Sequence, residues 1–237
     1  MIYVDYVAEE IGIAAHLSGD PAMRAMYESD DAHLAFAKMA GAVPADAVRD
    51  DHEAVRDVYK TVNLGALYWM TEHGMGPRLG IPIEEADSLL AQHRELFEVY
   101  WAWSRRYVQR AFDQGKVRTK FGWECTVPPD SKFRTWANWP VQAAGGDLMR
   151  LTVIYLDQQG VRLLAPVHDG FLISARKAEV EQVRRAVDLA CETAVRQVLG
   201  DFPLRWDWTQ YDQKFDDKKG REVWALIAQA LVSLGRA

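Results

Sequence analysis

Two aspartates open the question of chemistry. Asp5 closes the apolar, aromatic run "IYVDYV", and Asp169 sits beside His168 between the apolar runs of "LLAPVHDGFLISA". Carboxylates at the ends of strands that meet in one sheet suit a pair of magnesium ions. Magnesium takes hard oxygen ligands, uses one or two protein carboxylates, and fills its other positions with water and phosphate. Two such ions clamp the attacking and leaving oxygens of a phosphoryl transfer. A strand-ending Asp and a turn Asp are also ordinary structural residues, and on residue type alone both readings stand.

A second pattern lies between them. Arg56, Lys60, Leu64 and Tyr68 fall at successive i+4 steps and so share one helix face. Two cations, an apolar residue and a phenol suit an object with phosphates at one end and a flat ring at the other, such as a nucleoside triphosphate. An amphipathic helix with snorkelling cations shows the same order. From Trp101 to Lys120 six basic residues (Arg105, Arg106, Arg110, Lys116, Arg118, Lys120) stand against one acid, Asp113. That stripe could follow a phosphate backbone or form a solvated face.

The composition leaves room for these readings. With 237 residues, 49% hydrophobic and 26% charged, the chain can bury a sizeable core, and nothing marks it as disordered. A net charge of −6 argues against a protein that simply coats nucleic acid. No apolar run approaches a membrane span, and "MIYVDYVAEE" lacks a basic region followed by an apolar one, so a soluble cytoplasmic protein with no membrane partner is expected. Cys125 and Cys191 have no metal-ligand spacing and read as small core residues of a reducing compartment.

The elements that must position these residues follow from pattern. "IYVDYV" predicts a strand, and a helical pattern follows to His16. "SGDP" supplies a turn, an N-cap at Asp20 and a proline at the first helical position, and helical periodicity through "AHLAFAKMAG" stops at Gly41. "DDHEAVRDVYKTVNLGALYWM" predicts a helix with acids in its first turn. One long helix is expected from Ile83 to about Phe112, ended by Gly115, then a hairpin in "KVRTKFGWECTVP" turning at Phe121-Gly122. A helix starting near Pro140 is expected to reach Asp157, because proline disfavours helix at the residue before it. "VRLLAPVHDGFLISA" predicts two strands hinged at His-Asp-Gly. Val180, Val183, Val187, Ala190, Ala194 and Val198 mark an amphipathic helix closed by Gly200. "LRWDWTQ" alternates as a strand, and a last helix includes Val223 to Leu234. The order is α+β: strands at the two ends of the chain and a mostly helical block between.

Several segments together resemble family A DNA polymerases, the DNA polymerase I type. "DYVAEEIGIAAHLSGD" is similar to the family's first motif, "RDVYKTVNLGALYWM" to its second, and "PVHDG" to its third, Val-His-Asp-Glu. "RTWANWPVQAAGGDLMR" resembles the Arg, Asn, Pro, Gln and Asp pattern ahead of the third motif. All occur in family order over nearly the whole chain.

The resemblance implies a polymerase palm sheet with an inserted helical fingers block: 1–21 palm, 22–114 fingers, 115–237 palm. It implies templated addition of dNTPs to a DNA primer 3′-hydroxyl with two Mg²⁺ ions. Asp5 and Asp169 match the metal-binding aspartates, with the Tyr6 carbonyl a further ligand. Glu10 matches the steric gate against a 2′-hydroxyl. Arg56 and Lys60 match the triphosphate cations, Lys60 also as proton donor to pyrophosphate. Tyr68 matches the tyrosine at the nascent base pair. Arg134, Asn138, Gln142 and His168 match residues by the primer terminus and minor groove, where every base pair offers acceptors.

Three residues depart from the family pattern. Leu64 stands where the family has Phe or Tyr, Trp69 where it has Gly beside the entering template base, and Gly170 where it has the Glu after the catalytic Asp. The thumb, proofreading exonuclease and 5′-nuclease regions have no counterpart, so a thumb-bearing upstream segment or separate chain is an expected partner. Two other readings stay open: an inactive DNA-binding remnant, and a single-subunit RNA polymerase, against which Glu10 argues.

Overall fold

A computed structural model of the chain describes residues 1–212 and 218–233. The first strand, β1 (Ile2–Tyr6), leads into α1 (Glu9–Ser18), α2 (Pro21–Glu28) and α3 (Ala32–Met39). Helices α4 (Glu53–Leu67), α5 (Glu72–Leu79), α6 (Ile83–Leu96) and α7 (Glu98–Gln114) follow. A small hairpin, β2 (Lys116–Arg118) and β3 (Glu124–Thr126), precedes α8 (Phe133–Gln158). The chain then forms β4 (Leu163–Val167), β5 (Gly170–Ile173), α9 (Val180–Leu199), β6 (Trp206–Gln210) and α10 (Lys218–Ser233). The fold is α+β, dominated by helix. Leu234, expected in the last helix, lies outside the described residues.

Four strands form one antiparallel sheet in the order β4-β5-β1-β6. Strand β1 is therefore central although it comes first in sequence. Its alternation sets the two faces: Ile2, Val4 and Tyr6 are buried, with Phe171 and Ile173 of β5, while Tyr3 and Asp5 point to the opposite, open face. The buried face joins a core built largely from α1, α8 and α9. Tyr6 shows the coupling directly, its hydroxyl sharing a 2.8 Å hydrogen bond with Thr152 Oγ1 of α8. Helix α9 buries Val187, Ala190, Ala194 and Val198 of the predicted stripe, with Cys191 added, while Val180 and Val183 in its first turns are only partly buried, and it ends at Gly200.

Asp20 caps α2 as expected, its Oδ1 accepting from the amides of Ala22 and Met23 at 2.9 Å. Three expectations about helices change. A second capping aspartate, Asp31, accepts from the amides of His33 and Leu34 and starts α3 as a separate helix. The single helix expected from Ile83 is two, because Phe97 leaves helical geometry (φ −118°, ψ 48°) and buries its ring completely. Helix α8 begins at Phe133, seven residues before Pro140, which it carries in its interior. Proline removes one amide donor and crowds the preceding turn, but α8 is packed on both α1 and α9, and that burial overrides the local preference. Helix α5, with Pro77 inside it, is not legible in the sequence as a separate element.

Candidate functional site

The open face of the sheet forms one wall of a cleft of about 1220 Å³. Its register places the acids. Asp5 lies directly across from Gly170 on β5 and from Asp207 on β6. Opposite residues of an antiparallel pair project from the same face, so Asp5 and Asp207 stand side by side. Asp169 sits in the β4–β5 turn, held to the sheet by its carbonyl, which accepts the Tyr6 amide at 3.1 Å. His168 in the same turn adopts a left-handed backbone (φ 57°), and its Nδ1 lies 3.4 Å from Asp169 Oδ1. The hairpin thus holds the carboxylate at the sheet's rim.

These acids press on one another. The Asp5 carboxyl is pushed up to about 6, first by partial burial and then by the charges of Asp169 and Asp207. Burial first, then the charges of Asp5 and Asp169, raises the Tyr3 phenol. Glu9, in the first turn of α1, is pushed up to about 8 by burial, then by Asp169 and Glu10, and its Oε1 is sealed from water with no hydrogen bond. Among the described residues no three His, Cys, Asp or Glu side chains make a metal cage by themselves. A cation here would complete its shell with water or substrate oxygens, as magnesium does. Crowded hard-oxygen donors with little positive charge beside them fit that ion.

The opposite wall gathers residues from three helices. Glu10 of α1 accepts a 2.7 Å hydrogen bond from the Tyr68 hydroxyl, at the C-terminal end of α4. It also accepts one from Gln142 Nε2 of α8, which reaches the Tyr68 hydroxyl at 3.1 Å. Burial first, then the Glu10 hydrogen bond, pushes the Tyr68 phenol up to about 12, so it remains a donor. Leu64 and Lys60 line the same cleft one and two turns earlier on α4, and Lys60 forms no salt bridge among the described residues.

Other predicted residues are placed differently. Arg56 reaches the cleft, but its guanidinium donates to Asp31 Oδ2 and to Asp57 Oδ1 at 3.1 Å. Burial raises the Asp31 carboxyl, but the Arg56 and Leu34 hydrogen bonds outweigh it and hold its pKa below the ordinary value. Burial, then the charge of Arg56, brings the nearby His33 imidazole down to about 4. Tyr6 turns its ring into the core, leaving only its backbone for the cleft. Asn138 is buried, close enough to the Tyr68 phenol to lower its pKa, yet neither its amide nitrogen nor its oxygen completes a hydrogen bond. Arg134 lies exposed in the first turn of α8, two turns before Gln142 and outside the cleft lining.

Tyr3, Glu9, Asp31 and Asp207 belong to the site or its supports and carry no motif signal. Asp207 and Tyr3 are reached only through strand register, and Asp31 only through the meeting of α3 with α4. Glu9 alone leaves a trace, a second acid beside Glu10, which reads as an ordinary first-turn helix acid.

Taken together, a carboxylate-bearing sheet faces a cationic helix and a hydrogen-bonded Glu-Tyr-Gln group, an arrangement suited to a phosphate-rich ligand and a divalent cation. The model of DNA polymerase family A matches residues 1–210. A thermostable DNA polymerase I of Thermus thermophilus is 33% identical over 208 residues, covering 82% of this chain and 25% of that protein. DNA polymerase I of Deinococcus radiodurans is 31% identical over 214 residues, covering 83% of this chain and 22% of its own length. Among solved structures, the POL domain of Pol1 from M. smegmatis in complex with DNA primer-template and dNTP superposes with a TM-score of 0.77 at 27% identity. That match covers 87% of this chain and 38% of the other. The chain belongs to DNA polymerase family A, and it spans about a quarter of the length of the curated relatives it matches.

Proposed function

We propose that the chain carries the nucleotidyl-transfer centre of a DNA-templated DNA polymerase. The observation that carries this reading is the single cleft in which Asp5 and Asp169 on the sheet face Lys60, Leu64 and the Glu10–Tyr68–Gln142 group. The sheet with 1–21 and 115–237 would be the palm, and 22–114 the fingers. A thumb-bearing segment would complete the grip on primer-template DNA.

Asp5, Asp169 and the Tyr6 carbonyl would hold two Mg²⁺ ions, which when bound neutralise phosphate charge and ease loss of the primer hydroxyl proton. The chain's own residues do the rest. Lys60 neutralises the triphosphate and passes its proton to the departing pyrophosphate as the primer oxygen bonds to the α-phosphorus and the α–β phosphoanhydride breaks. Glu10, pinned by Tyr68 and Gln142, fills the space a 2′-hydroxyl would need and so selects deoxynucleotides. Leu64 offers apolar contact to the incoming base in place of a stacked ring. Arg56 binds the triphosphate by exchanging Asp31 for phosphate, a bidentate acceptor of higher charge. Gln142, Asn138, Arg134 and His168 line the path of the primer terminus and the minor groove.

Primer extension with Mg²⁺ tests the assignment. Wild type extends a primer with dNTPs, and Asp169→Ala abolishes extension; incorporation that survives the substitution overturns the role of Asp169. The engagement of Arg56 by Asp31 and Asp57 favours a second reading, a DNA-binding protein that does not turn over. Wild-type chain that binds primer-template DNA yet never extends it would select that reading.

A further inference from the structure

Gly170 is not required by its backbone, because its φ is not positive. What excludes a side chain there is space. A Cβ at 170 would fall 2.6 Å from Tyr3 Oη and 2.7 Å from both Tyr3 Cζ and the Val4 carbonyl oxygen, closer than any real contact. Tyr3 and Asp5 lie two apart on β1 and share its open face, and Gly170 lies directly across from Asp5. The phenol therefore leans along the sheet and brings its hydroxyl into the volume over residue 170, beside Asp169. This end of the cleft has no side chain from β5; its polar group comes from β1. Tyr3 is neither fully buried nor fully exposed.

We propose that Tyr3 is a positioning residue of the cation site, its hydroxyl holding a water of the ion bound by Asp5 and Asp169 in the place a side chain at 170 would occupy. A hydroxyl can donate to an aspartate while accepting from a metal-bound water, which a carboxylate cannot do, and it adds no charge to a crowded acidic face. This rests on the metal reading of Asp5 and Asp169 above. Partners that orient metal ligands from outside the coordination shell typically change affinity tenfold or more.

Manganese binding to the full chain, followed by electron paramagnetic resonance, reads this directly without turnover. Tyr3→Phe keeps the ring and removes only the hydroxyl. The expected result is about tenfold weaker Mn²⁺ binding with an unchanged melting temperature in EDTA. If Tyr3→Phe binds like wild type while Asp169→Asn is weakened, Tyr3 only fills space and the proposal is overturned. If Asp5→Asn and Asp169→Asn both bind like wild type, the metal reading itself fails, and the two failures are told apart.

Discussion

Glu9 packs its carboxyl against Gly145 of α8, where a Cβ would come within 3.2 to 3.4 Å of it. A side chain at 145 would displace it, so the two positions are fitted to each other. With Oε1 sealed and unbonded, the ionised form is disfavoured, and the carboxyl sits at about 8 instead of the ordinary 4.5. A raised folded pKa means the folded state holds the proton longer than the unfolded chain. Glu9 therefore costs nothing below about pH 4.5, and its penalty grows up to about pH 8 and then levels off. Glu9→Gln, neutral at every pH, should match wild type near pH 4.5 and be more stable at pH 8, by an amount on the order of a few kcal/mol. Thermal melts of both proteins across that range in metal-free buffer check it. Parallel curves would show that Glu9 ionises freely. Asp5 titrates in both proteins with the same sign, so the difference isolates Glu9. Residues of this kind mark the limit of reading a sequence by motif. Family spacing singles out Asp5, Glu10, Tyr68, Gln142 and Asp169, and the fold brings all five to the lining of one cleft. The surroundings of Glu9, Tyr3 and Asp207 are set by what lies opposite them across strands and helices, and spacing along the chain does not encode that.

Asp20 shows the same limit at the scale of elements. Its place before a proline marks it as the cap of α2, and it fills that role. Its other oxygen accepts the Tyr100 amide at 2.9 Å, in the first turn of α7, eighty residues away. One carboxylate, 1% exposed, thus joins the starts of two helices. The second bond depends on the break at Phe97, which frees the Tyr100 amide to point at Asp20 instead of at a preceding turn. An unbroken helix, as the periodicity of 83–112 predicts, would have no such donor. The apolar pattern runs through the break because Phe97 is itself buried, so hydrophobic period cannot reveal it. Asp20→Ala leaves three amides unsatisfied, those of Ala22 and Met23 at the start of α2 and that of Tyr100 at the start of α7. The substitution should cost about 2–4 kcal/mol at roughly 1 kcal/mol per lost bond. Urea unfolding measures it. A loss below about 1 kcal/mol would show that the contact to α7 contributes nothing beyond a single cap. Trp69 ties the far end of α4 to α7 in a similar way. Its indole donates to Ser104 Oγ at 3.1 Å from a left-handed backbone (φ 51°) that an ordinary residue adopts only under constraint.

Across the whole molecule, and on the polymerase function proposed above, charge sets how the cleft would meet DNA. Six acids besides the largely protonated Glu9, and five Lys or Arg residues, line it, and Asp31 already occupies Arg56. A phosphate backbone entering this space without a cation meets more repulsion than attraction, especially beside the open face of the sheet, where interactions are less screened than in bulk water. The overall charge of −6 adds to that. Divalent cations should therefore act on DNA binding as well as on chemistry. At constant ionic strength, replacing EDTA with Mg²⁺ should raise the affinity of the chain for a fluorescent primer-template, read as anisotropy. A variant carrying both Asp5→Asn and Asp169→Asn should bind more tightly than wild type in EDTA and respond little to Mg²⁺, because the repulsion that the ion relieves is already gone. Equal binding of the two proteins in EDTA would mean that DNA lies clear of the aspartates. The cleft would then hold the nucleotide but not the primer end.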